Sequence, residues 1–300
     1  MTEPRTATRK RSLPDPNQLS SSQKLMVFVL SMTLFGLANI FTEILPEFRL
    51  GPVELSVSYL AFVPVVMVSL FHPLYAALGA PLGEIVFVDL LMGDFSGIGE
   101  LEGYIQLALG LYVGGSLVRD PSRKWQVAAA AMVAVLIDKG VGGVIDMSKV
   151  WVGVEDAEYV DGLPESILVI EGFAFASDFI ISGILFGAIP AAYLAARLHG
   201  KIEPLMGMTP RDADHPVPGR ARKNAAFIAL AVFLSLASAV FTFLEAADVK
   251  FGVWEPDFLD QYGTGFLWVG AGASLVVLIG TVAAARANAR RSRAENEKER

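Results

Sequence analysis

Acidic side chains set inside apolar stretches are the residues whose chemistry most needs explaining in this sequence. Glu84 and Asp89 interrupt the run ALGAPLGEIVFVDLLMG. Asp138, Lys139, Asp146 and Lys149 punctuate a second run, and Glu171 and Asp178 a third. Apolar runs of about 17–22 residues are membrane spans by length. A carboxylate within one is costly, so it marks a functional site unless a partner charge explains it. Such a group can hold a cation or a protonated amine, exchange a proton, or neutralise a neighbouring lysine.

Depth and helical face decide which of these groups can meet. At about 1.5 Å per residue, Glu84, Asp138, Lys139 and Asp178 fall near or past the middle of their spans. Asp89, Asp146 and Lys149 fall nearer the outer surface, with Glu171 a turn or two deep. At about 100° per residue, Glu171 and Asp178 share a face. Lys139, Asp146 and Lys149 make a second stripe beside Gly142 and Gly143, and Gln106 sits just below the outer end of the fourth span. If these spans surround one cavity, the groups line a small polar pocket that opens outward. Trp151 is placed to stack on a ligand there, or belongs with Tyr159 to an interfacial aromatic belt. The alternative for Lys139 is a structural ion pair with Asp138, Asp146 or Glu171. Asp146, Lys149 and Glu171 also fit the headgroup level, where charge is cheap.

The elements that must carry these groups are helical spans. The chain has 300 residues, of which 53% are hydrophobic and 18% charged, and a mean hydropathy of +0.50. The runs lack the strict alternation of barrel strands, so the sequence predicts an all-α polytopic membrane bundle. The spans fall at roughly 24–45, 54–71, 72–93, 101–118, 125–147, 165–196, 224–245 and 264–286. Around them the chain divides into a disordered tail (1–23), a six-span substrate-capture core (24–198), a proline-bearing loop (199–223), an accessory two-span hairpin (224–286) and a charged tail (287–300). The first apolar run begins too late for a secretory signal.

Basic residues set the orientation. Of 24 Lys plus Arg, only Arg49, Lys139, Lys149 and Lys250 fall away from the two tails, the 119–124 turn and the 197–223 loop, with Lys24 and Arg286 at the inner ends of their spans. The opposite loops are acidic. Eight spans with both termini cytoplasmic satisfy every segment, in a cell-membrane protein. Small residues recur four apart, at Gly79 and Gly83, Gly110 and Gly114, and Gly183 and Gly187. They predict close helix approach within the chain, or a docking face for a partner.

Several chemistries are absent. With no cysteine, thiolate nucleophiles and disulfides are excluded. No P-loop, H-E-x-x-H or G-x-S-x-G motif occurs. His72, His199 and His215 all fall at the inner side, away from the acids, so no metal site or other cofactor is expected. The basic tails lack interleaved aromatics and read as inner-surface anchors, not nucleic-acid sites. We therefore expect no enzyme activity.

One stretch adds a resemblance. After the first span come EILPEFRLGPVEL, the run AFVPVVMVSLFHPLYAALGAPLGEIVFVDLLMGD and the closing GLYVGG. Residues 25–118 resemble the substrate-binding subunit (S component) of energy-coupling factor vitamin transporters, a class of ABC transporter. In that family a second span turns tightly into a G-P-x-x-A-x-x-G third span, and here the turn reads FHPLYAALG. The resemblance implies a six-helix subunit that captures a vitamin-like metabolite from outside. Its pocket is then built from the outer halves of spans four to six, and a scaffold membrane protein with two cytoplasmic ATPases drives import. This chain adds two spans, and its first span carries only Ser31, Gly36 and Ala38 where the family often shows Ala-x-x-x-Ala. The excess of buried acid over base suggests a cationic or zwitterionic solute. Rival readings are a stand-alone proton-coupled transporter, with Glu84, Asp138 or Asp178 as the proton carrier, and a non-transporting membrane scaffold or sensor.

Overall fold

The first helix is started by a reciprocal cap. Ser20 Oγ accepts from the Gln23 backbone N–H, and Gln23 Oε1 accepts from that of Ser20, so two otherwise orphaned donors are satisfied. From there the computed structural model describes residues 19–43, 45, 48–50, 53–55, 57–154, 163–212, 225–247, 249 and 251–298. Most of the expected N-terminal tail, the acidic stretch around Glu155, Asp156, Glu158 and Asp161 with Tyr159, and the 199–223 loop from 213 onward lie outside the described residues.

Among the described residues, six rods are long and apolar enough to cross a membrane. They are α1 (Ser21–Thr42); α3 (Pro73–Glu84) with its π-helical continuation Ile85–Leu90; α5 (Lys124–Val152); the rod formed by α6 (Ile167–Asp178), the π stretch Phe179–Ala188 and α7 (Ile189–Leu198); α8 (Ala225–Ala246); and α10 (Leu267–Lys298). Two other helices fall short. α4 (Glu100–Leu117) carries Glu100 and Glu102 in its first turn. α2 (Phe62–Leu70) has nine residues, about 14 Å of rise. The second span, expected from 54, therefore starts eight residues late. Residues 53–55 instead form β2 (Val53–Leu55), paired antiparallel with β1 (Phe48–Leu50) through Arg49↔Glu54. A short helix, α9 (Phe258–Tyr262), precedes α10.

Burial is inverted on the peripheral helices. On α8, Ser238 and Thr242 are buried, while Phe233 is 65% exposed and Leu236 62%. On α10, Ser274 is buried, and Val276 and Ile279 face out. A helix in water hides its leucines and shows its serines. Apolar residues outward and polar ones inward is the arrangement that a lipid solvent favours, and it fits a membrane protein.

The bundle is held by close backbone contacts. α1 packs on α3 and α4 on α5. A Cβ on Gly79 would collide with the Phe28 carbonyl oxygen of α1, and one on Gly83 with that of Met32. Gly110 and Gly114 lie equally close to the Ala134 and Ala130 carbonyls of α5. These repeats thus serve packing within the chain. The small residues of α1 are turned the same way: Ser31, Gly36 and Ala38 are buried, Ser31 Oγ donates to the Ala76 carbonyl at 2.7 Å, and α10 packs along α1 as well.

The last two long helices are tied to the rest of the bundle. α8 packs on α4 and α5. The segment after it is pinned by paired backbone bonds between Phe95 and Trp254, at 3.0 and 2.9 Å, and by Asp257 N–H to the Gly93 carbonyl. At the opposite end, Arg211 is a structural residue and not the surface cation expected of a basic loop. It is 7% exposed. Its guanidinium donates to the carbonyls of Val68, Ser69 and Phe71 at the end of α2, and to those of Gly115 and Val118 at the end of α4. A cation there satisfies orphaned helix carbonyls and complements two helix dipoles.

Candidate functional site

Helices α4, α5, α6 and α8 surround a cavity of about 450 Å³ at the end of the bundle that holds the 93–99 turn. Of the residues expected to bind, Gln106, Asp138, Lys139, Asp146, Glu171 and Asp178 line it. The rise and turn of a straight α-helix suffice to bring these together, because α5 and α6 are regular over the residues concerned. Gly142 and Gly143 leave room for them. A Cβ on Gly142 would stand 3.1 Å from Gln106 Oε1, and one on Gly143 3.4 Å from Glu171 Oε2.

Three expected residues are elsewhere. Glu84 and Asp89 are not on the cavity wall. Glu84 lies behind it, within electrostatic range of Lys139 and Asp138, and Asp89 faces Glu100 and Asp94. Glu84 ends α3, which packs on α1 and α4 and contributes no lining residue, and for Asp89 the cause is the π-helical stretch that begins at Ile85, just past Pro81 within α3. Proline removes a helix donor, and the looser i→i+5 turns rotate every later residue away from the α-helical face. Trp151, near the end of α5, is 54% exposed and does not line the cavity.

Two residues outside the lining, which depth along a span does not predict, hold the cavity's acids. The segment between β2 and α2 inserts Ser58 and Tyr59. Ser58 Oγ donates to Asp178 Oδ1 at 2.5 Å, and the buried Tyr59 hydroxyl donates to Asp138 Oδ2 at 2.9 Å. Lys139 Nζ stands 5.4 Å from the Tyr59 ring centre, within cation–π reach. Lys139 makes no direct ion pair among the described residues, which leaves Asp138, Asp178, Glu84 and Asp146 around it at longer range. Asp146 pairs instead with Lys149 at 2.8 Å, at the mouth.

α8 closes the remaining side. Glu245 lines the cavity, and Thr242 Oγ1 donates to Glu102 Oε2. Glu102 also accepts from Gln106 Nε2 at 2.6 Å. The hairpin expected to be accessory thus contributes part of the wall. The signal was present in sequence: Ser235, Ser238, Thr242 and Glu245 are spaced 3, 4 and 3 apart, one polar face on an apolar helix.

The electrostatic character is one-sided. Among the described residues, seven carboxylates line the cavity, from Glu100, Glu102, Asp138, Asp146, Glu171, Asp178 and Glu245, against one lining ammonium, from Lys139. Among the described residues, no three His, Cys, Asp or Glu side chains converge closely enough to hold a metal ion. The acids are spread around a wall, which suits an extended organic cation better than a point charge. The volume lies within the usual range for small-molecule sites, about 300–1,000 Å³.

No curated protein and no solved structure matches this chain. One family model does, over residues 26–294, which takes in every helix that lines the cavity. By that match the chain belongs to DUF8171, a family of unknown function.

Proposed function

We propose that this chain is a membrane subunit that captures a small cationic or zwitterionic, vitamin-like metabolite from outside the cell. The observation that carries the reading is the excess of carboxylates over ammonium groups, seven against Lys139 among the described lining residues of a cavity of about 450 Å³, with Lys149 pairing Asp146 at its mouth. Of the seven, Asp138 is buried, Glu245 is exposed and the other five are half-buried; a carboxylate enclosed within a membrane needs compensation, and a bound cation supplies it beside Lys139. In this reading all eight helical rods cross or enter the cell membrane, with α2 as a half-span. The termini are cytoplasmic and the cavity faces outward. The basic 119–124 turn and the acidic 93–102 segment lie at opposite ends of α4, in keeping with that orientation. A cysteine at Ser122 should resist membrane-impermeant thiol reagents in intact cells, and one at exposed Glu255 should react.

The chain performs no covalent chemistry in this reading. Import is driven by a scaffold membrane protein and cytoplasmic ATPases, as the resemblance to transporter S components implies. α10 packs along α1 and the small residues of α1 are buried, so the scaffold docks elsewhere than on a small-residue face of the first helix. Vesicles that contain the purified chain alone should bind solute without accumulating it. Accumulation driven by a proton gradient, with no other protein present, would overturn the proposal in favour of a proton-coupled transporter.

A further inference from the structure

A second cavity, of about 420 Å³, lies at the other end of the bundle between α1, α2, α7 and α10. Leu30, Leu34, Val66, Leu194 and Leu278 typify its wall. Among the described residues, Thr281 and Arg286 are its only polar lining side chains, and Thr281 commits its hydroxyl to the Val277 carbonyl of its own helix. Arg286 is exposed and makes no ion pair or hydrogen bond among the described residues. The apolar part of α10 ends at Ala287, so the guanidinium stands at the boundary between hydrocarbon and headgroups.

The shape of the cleft points to its occupant. Met26 to Leu34 on α1, and Leu278 to Arg286 on α10, are each eight helical steps apart, about 12 Å of rise. An apolar slot of that length, ending at a guanidinium at the headgroup boundary, has the form of one acyl chain beneath its headgroup. An arginine at the mouth pairs with a phosphate diester through two parallel hydrogen bonds. We propose that this cleft binds an anionic phospholipid of the adjacent leaflet, with one acyl chain in the slot and its phosphate on Arg286.

The test is native mass spectrometry of the full chain in mild detergent, with equimolar dioleoyl phosphatidylglycerol and dioleoyl phosphatidylcholine. These lipids share tails and differ in net charge. The anionic lipid should be retained about five-fold over the zwitterionic one, the ratio that corresponds to about 1 kcal/mol for a basic residue near an anionic surface. Arg286→Ala, a change at an exposed position, should bring the ratio close to one. Leu278→Trp should block the slot and reduce retention of both lipids, with circular dichroism to confirm that the helices persist. Equal retention by the unaltered chain, an unchanged ratio in Arg286→Ala, or a lipid-free dimer joined through this cleft would each overturn the assignment.

Discussion

Replacing Asp178 with asparagine removes one negative charge from the cavity and changes little else. The side chain lines the wall and accepts a 2.5 Å bond from Ser58, which an amide oxygen can still accept. Lys139 keeps Asp138, Glu84 and Asp146 in range, so its charge remains compensated. A cationic solute loses one charge-assisted hydrogen bond, worth about 1.5–3 kcal/mol. Affinity should therefore fall by about tenfold to a hundredfold, with the melting temperature equal to the parent's or higher. Glu84→Gln is the internal control. Glu84 sits behind the wall, so its neutralisation should leave affinity nearly unchanged. The assay is calorimetry of the co-purified solute beside a melting curve for each variant. Equal losses of affinity in both variants, or a lower melting temperature with intact affinity in Asp178→Asn, would refute the reasoning.

Thr242→Val removes the hydroxyl that joins α8 to Glu102. It should lower stability by about 0.5–1.5 kcal/mol, read from thermal melts, and a chain truncated after His199 should lose solute affinity, because Glu245 and one cavity wall go with it. Arg211→Met leaves five helix-end carbonyls without their donor, and should cost about 3 kcal/mol or more, seen as a lower melting temperature with the cavity chemistry unaltered. Gly83→Ala drives a Cβ against the Met32 carbonyl. Overpacking of that kind costs about 1–3 kcal/mol, and the same substitution at Gly103, where nothing lies within 4 Å, should cost far less.

How much of this was legible in the sequence follows from the geometry of each element. Asp138, Lys139, Asp146, Glu171 and Asp178 could be placed together because α5 and α6 are regular α-helices up to and through those positions. Asp89 could not be placed, since the π stretch after Glu84 breaks the 100° step on which face assignment depends. Ser58 and Tyr59 were out of reach for another reason. They lie on an irregular segment whose position is set by packing against Phe35 and the buried acids, and no local period encodes that. Glu245 was legible but hidden, because its helix has a mean hydropathy of 2.0 over the window of interest, and an average conceals a polar stripe. The half-length of α2 was masked by the apolar 57–61 segment, which extends the hydrophobic run without extending the helix.

On the proposed function, the cavity between α4, α5, α6 and α8 holds a small cation or zwitterion. The most direct measurement is mass spectrometry of small molecules that co-purify with the full chain, compared with those that co-purify with a variant carrying both Asp138→Asn and Asp178→Asn. An amine-bearing solute should accompany the parent in near stoichiometric amount and be lost from a variant that remains folded. An anionic solute, or the same solute at the same occupancy in both proteins, would contradict it.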